Sequence, residues 1–299
     1  MTNPGLSCFI GMTGIIVVRG LYLFLMGKQV RTFITQSKPL TFAVLLLGIS
    51  IQHKLLWEWP ILDLNLPGNL PVYLARSISV ACSVLLIWIF APQALVRIKV
   101  KISKTGMKDL ALILTAYFAA GLLLLREPGL PLWLIIDGGI FALFIGLDEE
   151  FFGRGFVFGT LEKFGVEIAM AGSAVFFGLQ HFANYLSGND SFNYVLGHMV
   201  SAAGFGYLMA AVLVMTGSIW VPVFLHGVAD YRWVLMAPDD ALAITSGQTN
   251  WLSIAVSTFI MVVIARVILW DRTHRIFSGK RFDEPTKTYS LLRYLGLVE

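Results

Sequence analysis

Residues 130–160 read LPLWLIIDGGIFALFIGLDEEFFGRGFVFGT, and this stretch decides the fold class. It is long enough for a membrane span, which needs roughly 20 mostly apolar residues. Yet it carries Asp137, Asp148, Glu149, Glu150 and Arg154. A charge at mid-bilayer costs roughly 2.5–3.5 kcal/mol on insertion scales. Glu149, Glu150 and Arg154, with Asp230 further along, would together cost roughly 12 kcal/mol. That rivals the net stability of a whole domain, about 5–15 kcal/mol. These residues must be paired, facing water, or both. If the span stopped near Leu147, Asp148 and both glutamates would instead be headgroup-level charges.

Outward from this stretch the chain repeats its apolar character. Further candidate spans lie near 5–26, 39–57, 70–92, 109–125, 168–187, 192–215, 218–236 and 251–270. The prediction is an all-α polytopic transmembrane bundle of eight or nine spans, the first being the least secure because Arg19 interrupts it. Composition agrees: 57% of the 299 residues are hydrophobic, only 13% are charged, and mean hydropathy is +0.76. An average soluble domain carries roughly 25% charged residues, and a disordered chain is poor in apolar ones, so both classes are excluded. No cleavable signal peptide is evident after the Met-Thr-Asn-Pro-Gly start. Cys8 and Cys82 each sit in an apolar stretch, which supports neither a disulfide framework nor a thiolate metal cluster.

The basic residues form three clusters: Lys28, Arg31 and Lys38; Arg97, Lys99, Lys101, Lys104 and Lys108; and Arg272, Arg275, Lys280, Arg281, Lys287 and Arg293. With nine crossings all three fall on one side, which the positive-inside rule makes cytoplasmic. The net charge of +4 is then a topology signal. Contact with anionic lipid headgroups is secondary, and nucleic acid is excluded as a partner. Residues 1–270 read as a transmembrane domain with a motif-bearing core at about 130–236, and 271–299 as a basic cytoplasmic tail. With no soluble catalytic domain predicted, any chemistry must use residues in or near the bilayer.

Three polar groupings with helical spacing follow residue 130: Asp148-Glu149-Glu150-Phe151-Phe152-Gly153-Arg154-Gly155, Phe177-Gly178-Leu179-Gln180-His181, and His226-Gly227-Val228-Ala229-Asp230. Glu150 and Arg154 are i and i+4 and can pair within one helix. Glu149 is turned about 100° away, which leaves it to face a cavity. Phe177 shares a face with His181, and His226 with Asp230. Glu149 or His181 could take a proton from water, and a hydrogen-bonded His226 could stabilise an oxyanion. Gln180 and Asn184 flank His181 as candidate hydrogen-bonding neighbours. His198 matches no motif and reads as a packing histidine. Arg76 and Asp137 are isolated intramembrane charges, each expected to face a cavity or to pair with neighbours of the other. Small residues such as Gly178, Gly204 and Gly206 permit close helix packing.

Glu149-Glu150-x-x-x-Arg154, Phe177-x-x-x-His181 and His226-x-x-x-Asp230, in this order on late hydrophobic segments, resemble the motifs of the CAAX-processing endopeptidase family, also called the CPBP or ABI family of intramembrane proteases. The likeness is carried by roughly residues 130–236. It implies peptide-bond hydrolysis by a glutamate-dependent intramembrane protease of about eight helical spans, with a cavity reached from the cytoplasmic side and no cofactor. On that likeness Glu149 and His181 activate the water, His226 and Asp230 stabilise the oxyanion, and Glu150 and Arg154 support them. Asp230 departs from the eukaryotic prenyl-protein enzymes, which have Asn there. An ionised Asp cannot donate to an oxyanion; it must be protonated by its surroundings or serve to orient and charge His226.

Two other readings stay open. A zinc ion on Glu149, His181 and His226 would make a sound catalytic set, with Asp230 behind it, although the common His-Glu-x-x-His pattern is absent. A non-catalytic membrane protein, such as an immunity or partner-stabilising factor or a transporter, could also place Asp, Glu and His in the membrane. The expected partners are membrane lipid and a protein or peptide substrate, membrane-associated or lipid-modified. The compact connections fit a prokaryotic plasma membrane.

Overall fold

The computed structural model describes residues 37, 41–49, 69–99, 131–186, 190–234 and 249–277. Among these every regular element is helical, as the composition predicts. Helix α1 covers residues 41–49 and α2 covers Leu70–Phe90. Pro71 sits in the first turn of α2, where its missing N–H is no loss. Pro92 opens a 3-10 turn, Pro92–Leu95, followed by one helical turn, Val96–Lys99. The predicted spans at 5–26 and 109–125 lie outside the described residues, and that at 39–57 is described only in part.

The charged stretch forms α3, Leu132–Glu150, which passes into a π-helical turn, Phe151–Val157, and on into α4, Phe158–Leu161. A π turn widens the helix by one residue and disturbs its hydrogen-bond ladder. The Ser173 hydroxyl donates to the Gly153 carbonyl there at 2.8 Å, so a neighbouring helix satisfies the altered turn. After Gly165, at φ 112°, comes α5, Val166–Gln180; it breaks at His181, and α6 follows at Phe182–Leu186. Helix α7, Phe192–Thr216, starts at Ser191, whose hydroxyl accepts from the Tyr194 N–H at 3.3 Å. It ends at the left-handed Gly217, φ 70°. Helices α8 and α9 cover Trp220–Val234 and Trp251–Phe277. Helix α9 runs past the predicted boundary at 270 because neither Pro nor Gly interrupts the chain before Gly279.

Four of these helical stretches are long and apolar enough to cross a membrane: Leu70–Phe90, Val166–Leu186, Phe192–Thr216 and Trp251–Leu269. Their outward faces carry large apolar side chains, on α9 for example Leu252, Val256, Phe259, Ile260, Val263 and Val267. Inside, Phe152, Phe156 and Phe158 of the π turn and α4 are buried with Ile87, Met170, Leu213 and Ile219.

Two close approaches set the geometry of the middle. Helix α3 lies along α8 at Gly146, where a Cβ would fall 2.5 Å from the Val223 carbonyl oxygen. Helix α5 lies against α7 at Gly178, where a Cβ would fall 2.6 Å from the Met199 carbonyl oxygen. Only glycine lets the backbones meet this closely. The start of α8 is tied to the turn after α2: the Ile219 N–H donates to the Arg97 carbonyl at 3.2 Å, and the Trp220 indole N–H to the Ile98 carbonyl at 2.9 Å.

Candidate active site

The site grows from the junction of α3 with its π turn. Glu150 and Arg154 are both wholly buried, and the Arg154 Nε lies 3.0 Å from Glu150 Oε2. This is the i, i+4 pair the spacing predicts. A second Arg154 nitrogen donates to the Gly206 carbonyl at 3.1 Å, and its guanidinium lies 4.4 Å from the centre of the Phe177 ring. A buried arginine needs such company, since an unpaired charge in the interior is expensive.

Glu150 does more than the spacing shows. Its other oxygen, Oε1, accepts from His226 Nδ1 at 2.7 Å. The close passage of α3 and α8 at Gly146 and Gly227 makes that reach possible. With Nδ1 held by Glu150, the nitrogen of His226 that faces the other carboxylates is Nε2. It lies 3.3 Å from Asp230 Oδ2, one turn along the same helix, and 3.6 Å from Glu149 Oε2. Phe177 and Phe205 wall the ring at 5.6 and 5.0 Å between centroids. Glu149 itself is partly open, with 19% of its side chain exposed.

His181 is placed differently. It caps α5, and its Nδ1 lies 3.0 Å from the Phe177 carbonyl. A carbonyl can only accept, so Nδ1 carries a proton and donates it there, which leaves Nε2 as the other ring nitrogen. The ring packs on Phe177 at 5.2 Å and on His198 at 4.4 Å between centroids. Glu149, Glu150, Arg154, His226 and Asp230 thus form one contact network, and His181 joins it through the shared Phe177 ring. His198 does pack, as its sequence suggests, but against a predicted site residue.

Sequence reasoning left two partners unplaced. Asp148 is wholly buried and accepts an ion pair from Arg76 of α2 at 2.8 Å. Arg76 also lies 3.8 Å from Glu149 Oε1. The signal was available: three consecutive acids with one arginine nearby require a second cation, and Arg76 is a charge inside a predicted span. Asp137 instead accepts from the Tyr73 hydroxyl and the Asn69 amide, both at 2.6 Å. The two isolated charges therefore each find partners near the other.

Residues 131–232 match the family model described as type II CAAX prenyl endopeptidase Rce1-like. Over that segment the chain is similar to the CAAX-processing endopeptidase, or CPBP, family. All three motifs fall inside the match, and Arg76 falls outside it. No curated protein and no solved structure matches the chain. The CPBP family is a protease family, so the likeness supports an integral membrane endopeptidase acting on a peptide or protein substrate. For the zinc reading, no group of three His, Cys, Asp or Glu side chains among the described residues is arranged to hold a metal ion. Glu149 and His226 are adjacent, but His181 stands with His198.

Proposed function

We propose that this protein hydrolyses a peptide bond of a membrane-associated or lipid-modified substrate with a water activated by Glu149. The observation that carries the reading is the arrangement around His226. Its Nδ1 is anchored by the buried Glu150–Arg154 pair, while its Nε2 faces Glu149 and Asp230. A carboxylate and an oriented imidazole on facing helices are what acyl hydrolysis requires.

Glu149 takes one proton from water, and the hydroxide adds to the scissile carbonyl carbon. The C–N bond then breaks, and the proton passes to the leaving amine. His181, with its Nδ1–H fixed, offers Nε2 as a second acceptor for the water. His226, protonated on both nitrogens, donates from Nε2 to the oxyanion. Asp230 is an acceptor 3.3 Å from that nitrogen, which supports a role in orienting His226 rather than in donating to the oxyanion. The C-terminal end of α9 shares its end of the bundle with Arg97 and Lys163, and the positive-inside rule favours the cytoplasm for it.

The test uses protein purified in detergent. One probe is a quenched fluorescent peptide with farnesyl-cysteine three residues before its C-terminus; the other is a library of unmodified transmembrane peptides. Wild type cleaves at least one of them, and Glu149→Gln lowers kcat about 10²–10⁴-fold, the usual share of a general base. Full activity in Glu149→Gln, or no cleavage of either probe by wild type, refutes the proposal. Stoichiometric zinc in the purified protein, with activity lost to a chelator and restored by zinc, would replace the glutamate reading with the metal one.

A further inference from the structure

The carboxylate of Glu149 is bracketed. Its Oε1 lies 3.8 Å from a terminal nitrogen of Arg76, and its Oε2 lies 3.6 Å from His226 Nε2. Both separations exceed hydrogen-bond length. Two cationic or polar partners therefore orient the group from opposite oxygens without occupying the lone pairs a base must keep free. The Arg76 nitrogen is itself held at 2.8 Å by Asp148, which is wholly buried.

Around Glu149 stand Arg76 from α2, Asp148 and Glu150 on its own helix, Arg154 in the π turn, and His226 and Asp230 from α8. His181 and His198 of α5 and α7 lie beyond Phe177. Arg154 is committed to Glu150 and the Gly206 carbonyl. Among the described residues Arg76 is thus the arginine that lies beside both Asp148 and Glu149.

We propose that Arg76, on a helix outside the motif-bearing segment, is a positioning residue that keeps Glu149 turned toward His226, with Asp148 as its anchor. This rests on Glu149 being the base, and it gives α2 a part in the catalytic machinery.

The rival explanation is that Arg76 only neutralises the buried Asp148. Two variants in full-length protein separate the two. Arg76→Gln/Asp148→Asn removes both members of the buried pair together, so neither is left without the other. It is expected to fold with a Tm near wild type, with KM on the cleaved probe little changed and kcat down roughly 10²-fold, the scale of a misplaced reacting group. Asp148→Asn alone keeps a side-chain oxygen that accepts from Arg76, so the anchor persists without its charge; it is expected to hold kcat within about tenfold of wild type, and it serves if the double variant does not fold. Arg76→Lys, a point charge without the guanidinium fork, should recover part of the loss. A second readout needs no substrate: dicyclohexylcarbodiimide, which modifies carboxyls in apolar surroundings, reports whether Glu149 is still held by its partners and is followed by peptide mass spectrometry. Labelling should rise in the double variant and not in Asp148→Asn. Wild-type kcat and labelling in the double variant, or Asp148→Asn as inactive as the double, overturns the proposal. If wild type cleaves nothing, the hydrolytic reading fails while the labelling still decides whether Arg76 holds Glu149 in place.

Discussion

Glu149 and Glu150 are adjacent in sequence and opposite in circumstance. Glu150 has no exposed surface and serves two partners, Arg154 and His226. Glu149 is partly open and makes only long contacts. Removing one member of a buried pair costs about 3–5 kcal/mol, because the other charge is left uncompensated. Glu150→Gln should therefore depress Tm and the yield of folded protein strongly, whereas Glu149→Gln should abolish cleavage with little change in Tm. Thermal melts of both in detergent check this, and the reverse order would dissolve the distinction between a locking carboxylate and a reacting one. Asp230 allows a similar separation. An Asn amide can still accept from His226 Nε2, so Asp230→Asn should retain activity within about tenfold, while Asp230→Ala loses a further ~10-fold or more, the worth of a hydrogen bond to a charged group. Equal activity in Asp230→Ala and wild type would remove Asp230 from the site. At this scale the i, i+4 pair was legible because both members lie on one helix. The Glu150–His226 and Arg76–Asp148 contacts were not, because sequence spacing carries no information about which faces of distant helices meet.

The helices that carry these residues are held in register by backbone contact. A Cβ on Gly146 would lie 2.5 Å from the Val223 carbonyl oxygen and 2.9 Å from the Gly227 nitrogen, both backbone atoms that cannot rotate away. Gly146→Ala must push α8 off α3 and lengthen the 2.7 Å contact between Glu150 and His226. Overpacking of this kind costs typically about 1–3 kcal/mol, and kcat should fall with Tm. Gly139→Ala, two helical turns earlier on α3, would meet only Tyr231 at an ordinary 3.6 Å and should be silent. Comparing Tm and kcat of the two variants isolates helix separation from helix propensity, which both change alike; equal effects would refute the argument. Element identity was readable from apolar runs of span length. The π turn at Phe151–Val157 was not, since Phe-Phe-Gly-Arg-Gly-Phe-Val has no local signal for an extra residue per turn. The break at His181 was likewise hidden, because a single predicted span of 168–187 continues through it. Both irregularities sit at the motifs, where the helix departs from ideal geometry to bring its polar residues together.

For the whole molecule, the charges sort by position along the bundle. Arg97 pairs with Glu162, and Arg266 of α9 bonds Glu167 at 2.8 Å, which places the start of α5 and the later part of α9 at one end. Lys163 lies there too, donating to Thr41 at 3.0 Å; burial lowers its pKa to about 8. Helix α7 spans 25 residues, about 37 Å at 1.5 Å per residue, more than the roughly 30 Å of a bilayer core. Its start at Phe192 must then face the opposite side of the membrane from Val166, at the start of α5. His226, one to two turns after the start of α8 at Trp220, lies at intermediate depth. This is where a protease would meet a substrate bond buried in lipid. The basic end should be cytoplasmic, which cysteine labelling can establish. With Cys8 and Cys82 replaced by Ala, single cysteines are introduced at Val166 and Phe192, both exposed positions. A membrane-impermeant maleimide applied to intact cells should modify Phe192→Cys, and should reach Val166→Cys only after the membrane is opened. Labelling of both from one side would contradict the spanning of α5 and α7. The reverse pattern would keep the bundle but invert it, and the hydrolytic site would then be entered from the side opposite the one the charges indicate.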